Sequence, residues 1–249
     1  MRHDPAFSES ALDWLGSSAR GVALIVGQGS APLAEAYHRR GHRLMVLDHE
    51  PAGVSQLRRR APGCVPLVGA ADALPLRPCM FDAVAVGQGF HTLAPGLALA
   101  EFARVLRPGG LLVVTYTVRD DSVPWVRRLV ARLRRDDPDA MAGNYGEDSV
   151  AALDHSDYFT DVRERTFRRW VPMNRAGLLA MVARTPTAAA LDEAARAALL
   201  DDVAALYDDA AKPPEPLLLP YRVRCWRAEV DHTDLSAPLS LTQGLQITL

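Results

Sequence analysis

Short apolar runs alternate with amphipathic segments along the first 116 residues. The runs "GVALIV", "RLMVLD", "CVPLVGA", "FDAVAVGQ" and "LLVVTY" are nearly continuous in hydrophobic residues, which is typical of strands buried on both faces of a parallel sheet. Segments such as "PLAEAYHRRG" and "GVSQLRRRAPG" lie between them and end in glycine, as helices commonly do. This alternation predicts a doubly wound α/β sheet with right-handed crossovers.

The pattern also predicts helices and strands outside these runs. "SALDWL" reads as a short leading helix, and "LALAEFARVLRPGG" as a helix that ends at Pro-Gly-Gly, with one apolar stripe made of Leu99, Phe102, Ala103 and Leu106. After Tyr116 the rhythm changes. "VPWVRRLVARLRR" predicts an amphipathic helix, "VRERTFRRWV" a strand, "LDEAARAALLDDVAALYDDAA" a long helix and "LLLPYRVRCWRAEV" a final strand. The polar, turn-rich "DDPDAMAGNYGED" is the best candidate for a mobile lid.

Composition narrows the class of protein. The 249 residues are 49% hydrophobic and 23% charged, with a formal net charge of −2, which is ordinary for a globular chain and argues against a nucleic-acid binder. Three widely spaced cysteines show no metal-binding spacing and favour a reducing compartment. No apolar leader and no run of about 18 apolar residues is present, so we expect a cytoplasmic protein with no membrane partner.

A glycine-rich loop follows the first predicted strand. Gly27-Gln28-Gly29 leads into a helix, and such a turn lets the backbone approach a ligand and offer free N–H groups to it. The same pattern also fits a tight strand–helix turn without a ligand. Asp48, at the end of the second strand, could accept hydrogen bonds from a ribose diol, or could merely cap a helix. These residues alone do not separate NAD from S-adenosylmethionine.

Motifs further along the chain distinguish between these two ligands. "DALP" at Asp72, "FDAV" at Phe81, "QGFH" at Gln88 and "EFARVLRPGG" at Glu101 follow in order. This ordered set resembles the class I S-adenosylmethionine-dependent methyltransferases, of the methyltransferase type 11 kind. Further stretches up to about Glu229 resemble an actinobacterial branch of that family.

The resemblance implies a fold and a domain plan. The fold would be a Rossmann-like, doubly wound, mostly parallel seven-stranded sheet with helices on both faces, a C-terminal antiparallel strand pair and helical lid insertions. One domain would span residues 1–230, divided into a cofactor-binding half (1–118), lid and substrate-side insertions (119–215) and the final strand (216–230). Residues 231–249 would be a C-terminal extension.

The resemblance also implies a ligand, S-adenosylmethionine, with S-adenosylhomocysteine as the product. The loop backbone would pass under the methionine moiety and ribose, Asp48 would take the ribose hydroxyls, and His49 would lie against the adenine. Asp72 and the N–H of Ala73 would read the adenine edge. By the same correspondence, the implied cofactor-binding residues are Gly27, Gln28, Gly29, Asp48, His49, Asp72, Ala73, Gly87 and Gln88.

Four positions depart from the family pattern, and one of them is Gln28, which stands where the family usually has a small or sulfur-bearing residue. Ile25 stands where the family usually has an acid, Ala31 where it usually has a third glycine, and Thr92 where tryptophan is common. A lost charge-assisted hydrogen bond costs about 1.5–3 kcal/mol, or roughly tenfold to a hundredfold in affinity. Ile25 and Ala31 therefore motivate an alternative function, a non-catalytic ligand-binding or interaction protein of the same fold with weakened or lost cofactor binding.

The expected chemistry is in-line methyl transfer to a small-molecule acceptor. A base is needed only for a protonated acceptor, and His91, just after the fourth strand, is the candidate for that role. Packing against the lid or capping of the next helix explains His91 equally simply. The sequence shows no obvious metal-ligand cluster, so we expect no metal site, and a homodimer stays open. A nicotinamide oxidoreductase is the third hypothesis, but it gives no reason for the downstream motifs.

Overall fold

Seven strands form one sheet in the order β3-β2-β1-β4-β5-β7-β6. Neighbours among β1 to β5 are parallel, whereas β7 runs antiparallel to both β5 and β6. This arrangement confirms the predicted Rossmann-like α/β fold with a C-terminal antiparallel pair. The strands are β1 (Val22–Val26), β2 (Arg43–Asp48), β3 (Val65–Val68), β4 (Phe81–Gly87), β5 (Leu106–Arg119), β6 (Phe159–Met173) and β7 (Leu217–Val230).

The structure, a computed structural model, contains eight α-helices in the residues that it describes. They are α1 (Glu9–Trp14), α2 (Ala31–Arg39), α3 (Pro51–Arg60), α4 (Pro95–Val105), α5 (Pro124–Leu133), α6 (Arg175–Ala183), α7 (Pro186–Ala190) and α8 (Glu193–Ala210). The structure describes residues 6–16, 20–138, 140, 146–212 and 214–233. Residues 139 and 141–145 of the predicted lid and residues 234–249 lie outside these ranges.

Both faces of the sheet are covered, as the continuous apolar runs predict. Helices α1, α2 and α3 pack on one face, and α4 packs on the other. The predicted apolar stripe (Leu99, Phe102, Ala103 and Leu106) lies wholly in the apolar core on the α4 face of the sheet. A third apolar cluster packs α5, α6, α7 and α8 against the carboxyl end of β6 and the amino end of β7. Within the described ranges, no helix has the length and apolar character that crossing a bilayer would require.

The helix predicted to run into Pro-Gly-Gly is shorter than expected. Helix α4 ends at Val105, and Leu106 already has extended dihedral angles and pairs with Phe81. The Arg107–Gly110 segment therefore lies inside β5, at an irregularity in the pairing with β4. The positive φ of Gly109 (74°) accommodates this irregularity without the steric cost that a side chain would bring.

Asp82 joins the amino ends of three strands. Its Oδ2 accepts a hydrogen bond from the N–H of Val22 at 2.7 Å, and its Oδ1 accepts from Arg107 at 2.6 Å. Burial pushes the pKa of Asp82 upward, but the hydrogen bonds from Val22 and Arg107 outweigh it, so the pKa lies below its ordinary value. The motif "FDAV" thus holds β1, β4 and β5 in register at the edge opposite the glycine loop.

The strand order reverses between β1 and β4. Successive strands run outward from β1 to β3 on one side and from β4 to β5 on the other. Connecting helices then leave on opposite faces, and a crevice opens beyond the carboxyl ends of these two strands, where ligands of doubly wound sheets bind. The glycine loop after β1 and the Gly87-Gln88 segment after β4 both lie at this edge.

Ile25 has no exposed surface and belongs to the apolar core under α1, α2 and α3. A carboxylate at this position would be buried among hydrocarbon groups. We therefore expect Ile25→Asp to lower the free energy of unfolding by about 4 kcal/mol or more, whereas Ile25→Val should cost only about 0.5–1.5 kcal/mol. Urea unfolding monitored by circular dichroism measures both changes. An Ile25→Asp protein as stable as the valine variant would contradict this packing.

Candidate active site

A cavity of about 700 Å³ opens at the carboxyl edge of the sheet, over the ends of β1, β2 and β4. This volume falls within the range of small-molecule and cofactor sites. Its wall comes from the glycine loop, the end of β2, the segment after β3 and the segment after β4. The lining residues are Val26, Gly27, Gln28, Gly29, Leu47, Asp48, His49, Gly69, Ala70, Ala71, Asp72, Val86, Gln88, Gly89, Thr92, Leu93 and Ala94.

The glycine loop is held in place by backbone contacts. Gly27 has a φ of 79°, and its N–H donates to the carbonyl of Leu47 at 2.8 Å. Gly29 lies against Gly87 so closely that a Cβ on Gly29 would stand 2.6 Å from the carbonyl oxygen of Gly87. Two backbone segments from opposite sides of the crevice therefore touch, and a larger residue at position 29 would force them apart.

Ser30 locks this crossing, although nothing in its local sequence marks it. The side chain is fully buried, and its Oγ accepts from the N–H of Gly87 at 2.7 Å while donating to the carbonyl of Val26. One hydroxyl thus connects the end of β1 to the end of β4. A serine after Gly-x-Gly is common in loops, so only the contact with Gly87, 57 residues away, shows its role.

Asp48 is only 4% exposed yet forms part of the cavity wall. Its Oδ2 accepts from the N–H of Gln28 at 2.6 Å, and its Oδ1 accepts from the N–H of Glu50 at 2.9 Å. A carboxylate has about four lone-pair sites, so this one keeps capacity to accept further hydrogen bonds from a ligand. The acid therefore fixes the glycine loop and faces the cavity with the same group.

Gly53 in α3 makes room for that carboxylate. A Cβ on Gly53 would stand 2.6 Å from each carboxylate oxygen of Asp48, well inside van der Waals contact. Glycine in a helix interior ordinarily costs about 0.5–1 kcal/mol relative to alanine. Its presence here follows from the need to seat Asp48. Sequence reasoning missed this position, because a glycine near the start of a helix has several simpler explanations.

Asp72 lies on the opposite side of the cavity from the glycine loop, in the exposed turn after β3. The residues that follow are held by a clamp, which consists of Glu101 and Arg104 of the motif "EFAR" in α4. Glu101 accepts from the N–H of Leu74 at 2.6 Å, and Arg104 donates to the carbonyls of Leu74 and Leu76 at 3.0 and 2.7 Å. The clamp sets the position of the Asp72-Ala73 turn relative to the cavity.

Within the clamp, Glu101 and Arg104 bind each other through two hydrogen bonds of 2.7 Å. The hydrogen bond from Arg104, opposed by burial and aided by the Leu74 N–H, holds the pKa of Glu101 below its ordinary value. The reciprocal hydrogen bond raises the pKa of Arg104. The pair is therefore ionised over the neutral range and is bidentate, the stronger geometry for such pairs.

Gln88 is a non-glycine residue in the left-handed region, with a φ of 51°. Its N–H donates to the carbonyl of Thr115 at 2.9 Å, and its side-chain Oε1 accepts from the N–H of Thr117. The side chain therefore supplies the hydrogen bond that a further residue of β4 would have made to β5. Gln88 lines the cavity while its amide oxygen is engaged with the sheet.

His91 lies beside the cavity and is not part of its lining. Its N–H and its Nδ1 are 3.1 and 3.2 Å from the hydroxyl of the buried Tyr116. On its other side, the ring occupies the space that a Cβ on Gly146 would need. The imidazole is thus held between β5 and the turn that precedes residues 147–153.

Most predicted cofactor residues come together at one cavity. Ala73 and Gly87 are not in its lining, although Gly87 contacts Gly29 directly. In the described parts of the chain, no group of three or more His, Cys, Asp or Glu side chains converges to hold a metal ion. The cavity lining shared with the prediction is Gly27, Gln28, Gly29, Asp48, His49, Asp72 and Gln88.

The comparison with known families is consistent with this geometry. A family model described as "Methyltransferase domain" matches residues 24–114, the segment that contains the glycine loop, Asp48, Asp72 and the Glu101–Arg104 clamp. Residues 24–114 of the chain are thus similar to methyltransferase domains. The match does not reach the helical cluster of α5 to α8, so that part of the chain is characterised by its structure alone.

Curated relatives also carry methyltransferase names. The chain is 37% identical over 135 residues to an uncharacterized methyltransferase of Mycobacterium tuberculosis, which covers 54% of this chain and 56% of that protein. It is 37% identical over 92 residues to the demethylmenaquinone methyltransferase of Renibacterium salmoninarum, covering 36% and 39%. The chain thus spans about half the length of the mycobacterial relative and less than half of the one from Renibacterium salmoninarum.

Solved structures confirm the fold over nearly the whole chain. A structure from Anaeromyxobacter dehalogenans, described as a candidate type II methyltransferase, superposes with a TM-score of 0.64, 24% identity, and coverage of 92% of this chain and 97% of that one. A candidate methyltransferase from Bacillus halodurans gives a TM-score of 0.51 at 15% identity, covering 88% and 98%. At these identities the likeness concerns the fold.

The Glu101–Arg104 clamp predicts an acid-sensitive contribution to stability. Because the pKa of Glu101 is lowered in the folded state, its stabilisation is fully present above its unfolded pKa of about 4.3 and is lost as the pH falls through the folded value. We expect Glu101→Gln to lower the melting temperature near neutral pH and to flatten its decline between about pH 6 and about pH 3.

Differential scanning calorimetry across this pH range measures the effect. Glu164→Gln is the control, since Glu164 pairs with Arg224 on the exposed surface of the sheet, where an ion pair contributes little. Wild-type and Glu101→Gln melting curves that stay parallel down to acid pH would contradict the proposed role of the clamp.

Proposed function

We propose that this protein is an S-adenosylmethionine-dependent methyltransferase that acts on a small-molecule acceptor. The observation that carries the proposal is the position of Asp48, a nearly buried carboxylate that faces the cavity between the glycine loop and the Asp72 turn. A diol-bearing nucleoside fits this arrangement, because its ribose hydroxyls would find an acceptor and its base would reach Asp72. The family match over residues 24–114 supports the same assignment.

The cradle suits a ligand that lies flat along backbone. Gly29 lines the cavity and packs against Gly87, so the wall presents backbone without a side chain at this point, where the methionine moiety would lie. Gly27, Gln28, Gly29, Asp48, His49, Asp72 and Gln88 would hold the cofactor, which supplies an electrophilic methyl group when bound. The chain's own contribution is then to orient the two reactants and exclude water, and these effects supply much of the rate of such displacements.

The glycine loop is held in place although Ile25 stands where the family usually has an acid. The N–H of Gln28 is held by Asp48, the N–H of Gly27 by Leu47, and the N–H of Gly87 by Ser30. Each of these contacts orients the loop without a charge at position 25. We therefore favour a working enzyme over a protein of this fold that has lost its cofactor.

A small-molecule acceptor is supported by one relative and by the size of the site. The relative from Renibacterium salmoninarum is named for demethylmenaquinone, a metabolite. His91 is the group we assign as base for a protonated acceptor, and the hydroxyl of Tyr116 would hold its ring in place. We further propose that the protein acts in the cytoplasm, without a nucleic-acid or membrane partner; a homodimer is compatible with this role.

The first test is binding of S-adenosylhomocysteine by isothermal titration calorimetry. We expect the wild type to bind it, and we expect Asp72→Ala to weaken binding severalfold or more, because a hydrogen bond to the adenine amine is lost. Asp157→Ala, an exposed aspartate outside the cavity, is the matched control. Absence of heat with wild type at millimolar ligand would overturn the proposed function, and unchanged affinity in Asp72→Ala would show that the adenine lies elsewhere.

Gly53→Ala tests Asp48 without touching the cavity itself. Alanine usually stabilises a helix relative to glycine, yet here its Cβ would displace the Asp48 carboxylate. We expect S-adenosylhomocysteine to bind about tenfold more weakly, as for the loss of one charge-assisted hydrogen bond. Gly96→Ala in α4 is the control, because a Cβ there meets open space. Equal affinities of the two variants would argue against a ligand contact by Asp48.

A further inference from the structure

Arg119, the last residue of β5, carries two guanidinium nitrogens that have no hydrogen-bond partner in the part of the chain that the structure describes. Its Nε and Nη1 are shielded from solvent, and neither makes a hydrogen bond to any described residue. The guanidinium stays charged at all accessible pH values and has only donors to offer. A buried donor left unsatisfied is costly, more so when it is charged. Such a group in a folded protein calls for an explanation.

The position of Arg119 places it at the carboxyl edge of the sheet, next to the cavity. Thr117, two residues earlier on the same face of β5, donates its N–H to the side chain of Gln88 in the cavity wall. Residues i and i+2 of a strand are about 7 Å apart. Arg119 thus lies one step beyond Gln88, on the side away from Asp48, and is not in the lining of the cavity.

The neighbours of Arg119 on this face add positive charge. Tyr221 of β7 pairs with Arg119 on one side and with Arg169 of β6 on the other, so the three side chains form a row across adjacent strands. Arg169 also lines a cavity of about 150 Å³ together with Phe7 and Trp170. The row therefore combines two cations and a phenol beside an apolar recess.

The nearest acid in the chain does not neutralise Arg119. Asp120 accepts from the N–H of Ser122 at 3.2 Å and lies 3.9 Å from Arg168. The hydrogen bonds from Ser122, opposed by burial and aided by the charges of Arg222 and Arg168, hold the pKa of Asp120 below its ordinary value. Alternation along the strand sends Asp120 and Arg119 to opposite faces.

We propose that Arg119 binds a carboxylate of the methyl acceptor. The inference rests on the proposed function and names the class of substrate. A planar carboxylate matches the donor fork of a guanidinium, and such a bidentate contact is strongest where water is excluded. The cofactor also bears a carboxylate, but Arg119 stands outside the cavity lining, beyond Gln88, where a second reactant would approach. An acidic metabolite would thus be held beside the methyl group.

The first arm of the test asks whether the cofactor is the source of the carboxylate. Calorimetry compares S-adenosylhomocysteine with 5′-methylthioadenosine, which lacks the amino-acid portion, on wild type, Arg119→Lys and Arg119→Met. For each of the two ligands, we expect the affinities of the three proteins to agree within about twofold. A tenfold loss confined to S-adenosylhomocysteine on Arg119→Met would assign Arg119 to the cofactor and overturn the acceptor proposal.

The second arm probes the acceptor side by ligand-observed NMR. Salicylate, 4-hydroxybenzoate and 3-phenylpropionate are each compared with the corresponding primary amide, with and without saturating S-adenosylhomocysteine. We expect at least one acid to bind wild type tenfold more tightly than its amide, and Arg119→Met to abolish that preference while Arg119→Lys keeps part of it. Arg163→Met, which removes an exposed charge of β6, should behave as wild type.

Two results would overturn the proposal in this arm: acids and amides that bind wild type equally, or an acid preference that survives in Arg119→Met. Melting temperatures check that the variants fold. Arg119→Met removes an uncompensated charge, so it should melt no lower than wild type. The arm without S-adenosylhomocysteine separates the two hypotheses. If wild type fails to bind S-adenosylhomocysteine yet prefers the acids through Arg119, the proposed function has failed and the carboxylate site stands.

Discussion

The contact between the glycine loop and the segment after β4 is the constraint on which the site depends. Gly29 and Gly87 bring two backbones together at the point where the strand order reverses, and the buried hydroxyl of Ser30 holds them there. At Gly27 and Gly29 the cavity wall therefore presents backbone without side chains. Asp48 then attaches the loop to the end of β2, so three strands contribute to one rigid wall.

Sequence patterns predicted the parallel strands and the glycine loop, because both follow from local signals, whereas Asp72 and Gln88 were placed at the cavity by the family resemblance. Continuous apolar runs mark strands buried on both faces, and Gly-x-Gly after such a run marks a turn that approaches a ligand. Contacts between distant segments were not predictable in this way. The pairing of Ser30 with Gly87, the space that Gly53 leaves for Asp48 and the unpartnered Arg119 each depend on residues far apart in the chain.

The methyltransferase motifs divide into two physical roles. Asp48 and Asp72 face the cavity, whereas Asp82, Glu101 and Arg104 support the frame from below. The frame residues bind backbone N–H and carbonyl groups of other segments, which explains why they occur as charged residues inside an otherwise apolar pattern. Ile25 fits this division, since its side chain belongs to the core and the loop it precedes is oriented by other groups.

The side chain of Gln88 has a consequence beyond loop geometry. Through Thr117 it fastens the cavity wall to β5, the strand whose last residue is Arg119. An element shared by two binding regions lets occupancy of one change the affinity of the other, and thermodynamic linkage requires the coupling to be equal in both directions. If the two proposed binding regions are both occupied, Gln88 is the residue that joins them, through a single amide oxygen that completes a strand.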